Sequence, residues 1–206
     1  MSQFFRIHPD NPQPRLIKQA AEYLQNGKLV AYPTDSGYAL GCKLGCKSAL
    51  DRIRHIRQLS SNHNFTLICK DLTEVGTYAR FSTPIFRLLK ANTPGAYTFI
   101  LKATKEVPNK TQHPKKKTVG IRIPSHKIVI ALLEEIGEAI LSSSLILPGA
   151  NDPMTNAEDI QAALHHEVDL IIDGGFCGTG PTTVIEFLEE QPKIVREGVG
   201  DTVPFL

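Results

Sequence analysis

The sequence lacks any apolar run that approaches the ~20 residues needed to span a bilayer. It also lacks internal repeats and low-complexity tracts. Its first ten residues do not place a basic region before an apolar core, as a secretory signal does. We therefore expect a cytoplasmic protein without membrane partners. The 206 residues, 41% of them hydrophobic, suffice for one large domain with a substantial core.

Cysteine is also scarce and scattered, at positions 42, 46, 69 and 177. Only Cys42 and Cys46 are close in sequence. A structural zinc site would need a second close pair of Cys or His, and the pair His165–His166 lies far along the chain in an acidic segment. We predict reduced, mostly buried thiols and no metal site.

Basic residues are rare in the last third of the chain. Residues 1–127 contain 21 of the 23 Lys and Arg and 7 of the 21 Asp and Glu, a net charge of +14, whereas residues 128–206 have a net charge of −12. This asymmetry indicates a basic face that could hold phosphates or carboxylates. The charges could instead be clustered in sequence and mixed in space.

A basic loop is predicted at 102–117, where six lysines accompany one acidic residue and two prolines. Lysine clusters neutralise nucleic-acid phosphates without reading sequence. No aromatic side chains are interleaved here as stacking platforms for bases. Nucleic-acid binding and a flexible loop kept soluble by its charge are both compatible with this composition.

The apolar pattern predicts alternating strands and helices. Residues 4–8 are a plausible first strand, 14–25 carry apolar side chains at helical spacing, and 29–32 form a short apolar run typical of a buried strand. Further strands are expected at 139–144 and 170–173. This order favours an α/β fold with a helix-flanked sheet over an all-β sandwich.

A polar segment interrupts the apolar stretch at 29–42, Leu-Val-Ala-Tyr-Pro-Thr-Asp-Ser-Gly-Tyr-Ala-Leu-Gly-Cys. Because Pro33 cannot donate a hydrogen bond to a sheet, the strand should end near it. The side chains of Thr34, Asp35 and Ser36 would then lie where the chain leaves the sheet, which is where ligands bind in open α/β folds. A polar turn between two strands is the alternative.

This stretch resembles the signature of the YrdC/TsaC family, Y-P-T-[DE]-[ST]-x-[YF]-G-L-G, with Ala39 in place of a glycine. The segments 94–99, 119–124 and 142–144 resemble further family elements in the same order. The resemblance implies a single YrdC-like domain over 1–206, with its core at about 14–200. In this α/β fold, a twisted mixed β-sheet flanked by helices surrounds a basic concave cavity.

The resemblance also implies which residues contact a ligand in that cavity. Family members make threonylcarbamoyl-adenylate from threonine, bicarbonate and ATP for tRNA modification, and their domain is described as binding double-stranded RNA. The matching positions are Thr34, Ser36, Arg57, Arg122, Ser142, Ser144, Thr182 and Arg196. No residue is identified as a general base, so we predict no catalytic side chain, and catalysis would depend on positioning and charge.

Three positions depart from the family pattern in the nucleotide site. The family's cations Lys-x-Arg and a following Lys correspond here to Arg57, Leu59 and His63, and Ile146 replaces an asparagine. Leucine carries no charge, and histidine is mostly neutral at pH 7 unless an anion raises its pKa. We therefore expect these departures to weaken any synthase activity.

Two functions are compatible with the sequence. The first is binding of duplex regions of tRNA or rRNA, without DNA specificity, through Arg54, Lys115, Lys116 and Lys117, together with a cavity that accommodates a nucleotide. The alternative is a divergent threonylcarbamoyl-AMP synthase, or a related threonylcarbamoyl- or nucleotide-handling enzyme, with a nucleotide or threonine-like ligand and Mg²⁺ accompanying ATP. The reduced set of cations favours the first.

Overall fold

The computed structural model describes residues 1–60, 63–178, 180–187 and 191–206. The helices are α1 (Pro14–Gln25), α2 (Lys47–Arg57), α3 (Leu72–Tyr78), α4 (Thr83–Asn92), α5 (Lys127–Ile136) and α6 (Ala157–Leu164), and a 3₁₀ turn spans Val203–Phe205. The strands are β1 (Gln3–Arg6), β2 (Val30–Thr34), β3 (Gly37–Lys43), β4 (Thr66–Ile68), β5 (Ala79–Arg80), β6 (Tyr97–Ala103), β7 (Thr118–Arg122), β8 (Ile140–Ser144), β9 (Leu170–Asp173), β10 (Thr183–Glu186) and β11 (Lys193–Arg196).

These strands form one mixed sheet. Their order is β1-β9-β2-β3-β8-β4-β7-β6-β10-β11, and the short β5 pairs with β6 outside this path. Four neighbouring pairs are parallel, including β1 with β9 and β4 with β7, and the others are antiparallel. The predicted α/β class, with a mixed sheet flanked by helices, is confirmed.

Helices α1 and α5 cover one face of the sheet. Pro14 occupies the first turn of α1, where its missing N–H costs no intrahelical bond. The helix then buries Ile17, Ala20 and Leu24 against α5 and against Tyr32 of β2. This apolar layer fixes the position of β2.

Helices α2, α3, α4 and α6 cover the opposite face. Ile53 and Ile56 of α2 pack into the larger apolar cluster, which contains Leu67, Ile121 and Leu141 from three adjacent strands. Because side chains alternate along a strand, each central strand contributes to both apolar layers. The predicted buried character of the thiols holds for Cys42, Cys69 and Cys177, whereas Cys46 is only partly buried.

The hairpin β2–β3 accommodates Pro33 at the end of the sheet. Strand β2 pairs with β9 only at Val30 and Ala31, so Pro33 lies beyond that ladder and faces only β3, opposite Tyr38. Strand β2 ends one residue later, at Thr34. The strand therefore ends near the proline, as the sequence predicts.

Basic and acidic residues that are separated in sequence are mixed in space. Seven ion pairs are formed within the described residues, and five of them join a base from the first 127 residues to an acid from the remainder. Arg52 contacts Asp169 at 2.6 Å, for example, and Lys116 contacts Glu186 at 2.8 Å. These five ion pairs involve four of the 21 basic residues of the first part of the chain.

No helix in the described part of the chain combines the length and apolar character that a bilayer span requires.

Candidate anion-binding cavity

A cavity of about 150 Å³ lies on the sheet between the end of α2 and the edge strand β11. Three neighbouring strands form its floor. Thr66 of β4 pairs with Gly120 of β7, and Gly120 pairs on its other side with Ile100 of β6. A side chain at Gly120 would place its Cβ 2.8 Å from Thr66 Oγ1. Glycine at this position therefore keeps β4 and β7 together and the floor open.

Arg57 reaches the cavity from the last position of α2. Its Nη1 donates to Ser143 Oγ at 2.6 Å, and its Nε donates to the carbonyl oxygen of Ile146 at 3.2 Å. Burial, and then the charge of Arg196, lowers the pKa of Arg57 to about 10. The guanidinium remains charged at neutral pH and is held in place by neutral oxygens.

Arg196 approaches from the opposite side, on β11. Its Nε and Nη2 donate to the carbonyl oxygen of Thr182 at 3.1 and 2.8 Å, and Thr182 Oγ1 lies 2.9 Å from Thr98 Oγ1. Burial lowers the pKa of Arg196. The side chain of Arg196 is thus held by Thr182, the residue just before the partner strand β10. The β10–β11 ladder has a register shift between Val184 and Ile185.

The described lining of the cavity is positive, because it contains two arginines and no acidic side chain. No described Asp or Glu forms an ion pair with Arg57 or Arg196. His63 also lines the cavity, and burial, followed by the charges of Arg57 and Arg54, lowers its pKa to about 4. At neutral pH the cavity thus presents two fixed cations and one neutral imidazole.

Four of the eight predicted ligand residues line this cavity, namely Arg57, Ser144, Thr182 and Arg196. The other four do not line it. Thr34 is 1% exposed, and its Oγ1 donates to the carbonyl of Gly37 at 2.6 Å and lies 3.3 Å from Ser36 Oγ. Ser142 Oγ lies 2.6 Å from the hydroxyl of Tyr32. These hydroxyls contact other parts of the chain.

Arg122 is buried beside the cavity. It follows Gly120 by two residues on the same face of β7, and its Nη2 forms an ion pair with Asp35. Ser125 Oγ donates to the second oxygen of Asp35 at 3.3 Å, whereas Nε of Arg122 has no hydrogen-bond partner within the described chain. The carboxylate of Asp35 thus supplies the negative charge that the buried Arg122 requires.

Two cavity residues that sequence reasoning did not select are Ser143 and Asn64. The run of three serines at 142–144 was visible, but only its first and third members were selected from the family resemblance. The contact from Arg57 to Ser143 depends on where α2 ends, which no local pattern encodes. Asn64 follows a short polar segment without a distinctive motif.

The residues predicted to bind RNA lie in different environments. The Arg54 guanidinium carbon stacks 5.0 Å from the centroid of the Phe65 ring, and Lys116 pairs with Glu186. Lys115 and Lys117 are exposed. Around them the predicted flexible loop ends in an ordered turn, because His113 Nδ1 accepts hydrogen bonds from the backbone N–H groups of Lys115 and Lys116 at 3.2 and 3.1 Å.

Within the described residues, no group of three or more His, Cys, Asp or Glu side chains is arranged to hold a metal ion.

Comparison with known proteins places this geometry in a family. The family model Sua5_yciO_yrdC, described as telomere recombination, matches residues 22–198. The uncharacterized protein YciO of Escherichia coli K12 is 57% identical over the full length of both chains. The crystal structure of E. coli YciO superposes with a TM-score of 0.98, again over the whole of both chains.

A more distant relative carries a named activity. The threonylcarbamoyl-AMP synthase of Bacillus subtilis is 29% identical over 93% of this chain and 55% of its own length. The crystal structure of P. abyssi Sua5 complexed with L-threonine is 26% identical, with a TM-score of 0.88 over 96% of this chain and 58% of that one. This chain thus corresponds to little more than half of each of these two proteins.

Proposed function

Since the chain belongs to the Sua5/YciO/YrdC family, we propose that its cavity binds a small anion, either the phosphate of a nucleotide or the carboxylate of a threonine-like amino acid. One observation carries the proposal: Arg57 and Arg196 line the cavity without a described carboxylate in ion-pairing distance. A charge withdrawn from water needs a partner of opposite sign. Guanidinium groups bind carboxylate and phosphate through paired hydrogen bonds.

The proposed reaction is a divergent form of threonylcarbamoyl-AMP synthesis, with Mg²⁺ entering bound to ATP. It is supported by the synthase and threonine-bound Sua5 relatives and by hydroxyl groups of Ser143, Ser144 and Thr182 beside the arginines. We expect slow turnover for two reasons. Leu59 packs against the apolar core instead of supplying charge. Ile146 has no polar side chain to offer a nucleotide, and its carbonyl oxygen accepts a hydrogen bond from Arg57.

The binding proposal is tested by titrating the protein with AMP and with L-threonine in an isothermal calorimeter. Replacing Arg196 by alanine should weaken binding of the anion that it contacts by roughly tenfold or more, since a hydrogen bond to a charged group contributes about 1.5–3 kcal/mol. Arg87, exposed on α4 and away from the cavity, provides the matched control R87A. Equal affinities for R196A and R87A would contradict the proposal.

The reaction is tested separately by mass spectrometry. The protein is incubated with threonine, bicarbonate, ATP and Mg²⁺, and threonylcarbamoyl-adenylate is measured over time. Product formed over several turnovers, and reduced in R196A, would support the synthase. Folded protein that binds an anion but makes no product would contradict the synthase and leave the binding function.

Binding of duplex RNA is a second candidate, favoured by the exposed lysines at 115–117. Lys116 is fixed to Glu186, which follows the cavity residue Val184 by two positions on β10. The neighbouring Lys115 and Lys117 are exposed and form no ion pair within the described chain. Backbone phosphates of a duplex could contact both without any reading of sequence.

This candidate predicts binding that weakens steeply with salt. The double variant K115A/K117A should lower the affinity for a short RNA duplex and reduce the slope of log affinity against log salt by about two. The control K18A/K90A removes two exposed lysines that lie elsewhere on α1 and α4. Fluorescence anisotropy with no saturable binding near physiological salt would refute the RNA candidate.

A further inference from the structure

Among the described residues that line the cavity, His63 is the one neutral side chain that can become a cation by taking up a proton. Its ring lies edge-on to the Phe65 ring, with centroids 5.4 Å apart, and lines the cavity beside Arg57. No described residue forms a hydrogen bond with either of its ring nitrogens. The ring therefore faces the cavity, and no side chain of the described residues fixes its protonation by a hydrogen bond.

The charge of the cavity indicates the charge of the ligand that it fits. Two guanidinium groups contribute +2, and no described carboxylate lines the cavity. A monoanion would leave one of these charges uncompensated, whereas a dianion would neutralise both. Neutralisation would also remove the repulsion that disfavours a proton on His63, and the bound anion would attract one.

We propose that His63 takes up a proton from solvent when a dianionic group, such as a phosphate monoester or sulfate, binds in the cavity, and that this third cation makes the site selective for dianions over monoanions. This inference rests on the proposed function, because it requires that the cavity bind an anion. It assigns to His63 a role in ligand selection and none in chemistry.

The groups that face His63 determine the direction of the effect. Arg54 and Arg57 approach from α2, and Arg196 lies across the cavity on β11. In the free protein, burial and the first two of these arginines lower the pKa of His63 to about 4. A bound dianion raises that pKa, so binding takes up a proton and must strengthen as the pH falls.

Sulfate is a suitable probe because it remains a dianion between pH 5.5 and 8. If the pKa of His63 rises from about 4 to about 6.5 on binding, sulfate affinity should increase about tenfold from pH 8 to pH 5.5. Calorimetry in two buffers of different ionisation heat should show uptake of close to one proton per sulfate at pH 5.5. Methanesulfonate, a monoanion over this range, should bind more weakly and with less dependence on pH.

Two variants separate the role of His63 from its packing. H63Q should bind sulfate with nearly the same affinity at both pH values and without proton uptake, whereas H63K should bind it tightly at both. Saturable binding by the unsubstituted protein with a pH dependence equal to that of H63Q would overturn the inference and leave the anion cavity intact. Folded protein that binds no sulfate at either pH would overturn both.

Discussion

Replacing Asp35 by asparagine should destabilise the protein substantially. The side chain of Arg122 is 5% exposed and that of Asp35 is 16% exposed, and within the described chain Asp35 is the only acid paired with this arginine. Removing one partner of a buried ion pair costs about 3–5 kcal/mol, because the other charge remains buried without compensation. Since asparagine can still accept one hydrogen bond, we expect a loss near the lower limit, about 3 kcal/mol.

The assay is urea unfolding at pH 7 of the unsubstituted protein, D35N, R122M and the double variant. The double variant removes both charges and should be more stable than D35N, within about 1–2 kcal/mol of the starting protein. R122M should lose less unfolding free energy than D35N. The charge that it leaves unpaired is that of Asp35, which is the more exposed partner and keeps its contact with Ser125. A D35N loss below about 1 kcal/mol, or losses that simply add in the double variant, would refute the reasoning.

Changes elsewhere in the sheet test its packing and its pH dependence. G41A would place a Cβ 2.5 Å from the Tyr32 ring and should lower the unfolding free energy by about 1–3 kcal/mol. G76A in α3 would place a Cβ with no atom within 4 Å and should raise the unfolding free energy by about 0.5–1 kcal/mol. Equal changes of the two variants in urea unfolding would contradict this. Y32F removes the hydroxyl that lies 2.6 Å from a serine hydroxyl of β8 and should cost about 1 kcal/mol, so an unchanged urea midpoint would show that the bond contributes nothing. Burial raises the pKa of Asp169, but hydrogen bonds from Arg52 and from a backbone N–H have the larger combined effect, so the pKa is lowered. The unfolding free energy lost in D169N should therefore be greatest above about pH 4 and should decrease as the pH falls through the lowered pKa. A loss of equal size at pH 7 and at about pH 2.5 would exclude this linkage.

The fold was predictable where the apolar pattern is long or strict. The helix expected at 14–25 is α1, and the strand expected at 170–173 is β9, because a 3.6-residue stripe and a short apolar run encode them locally. The end of the basic loop was less predictable. Hydrogen bonds to His113 order the turn there, and composition does not encode them.

The candidate site was predictable only in part, because its contacts are long-range. Arg57 and Arg196 were selected from a family pattern, and both line the cavity. The ion pair of Arg122 with Asp35 joins residues 87 positions apart. No sequence window contains both, so the pairing of this arginine with an acid of the chain was not predicted.

The strand order has a consequence for the synthesis of this protein. In the part of the chain that the structure describes, β1 pairs only with β9, and β3 is joined to β4 only through β8, so the first 139 residues cannot complete the sheet that they begin. A chain emerging from the ribosome would carry unpaired strand edges until its last third is made. Such long-range pairing predicts slow folding and a nascent chain prone to aggregation until β8, β9 and β10 insert between or beside the earlier strands.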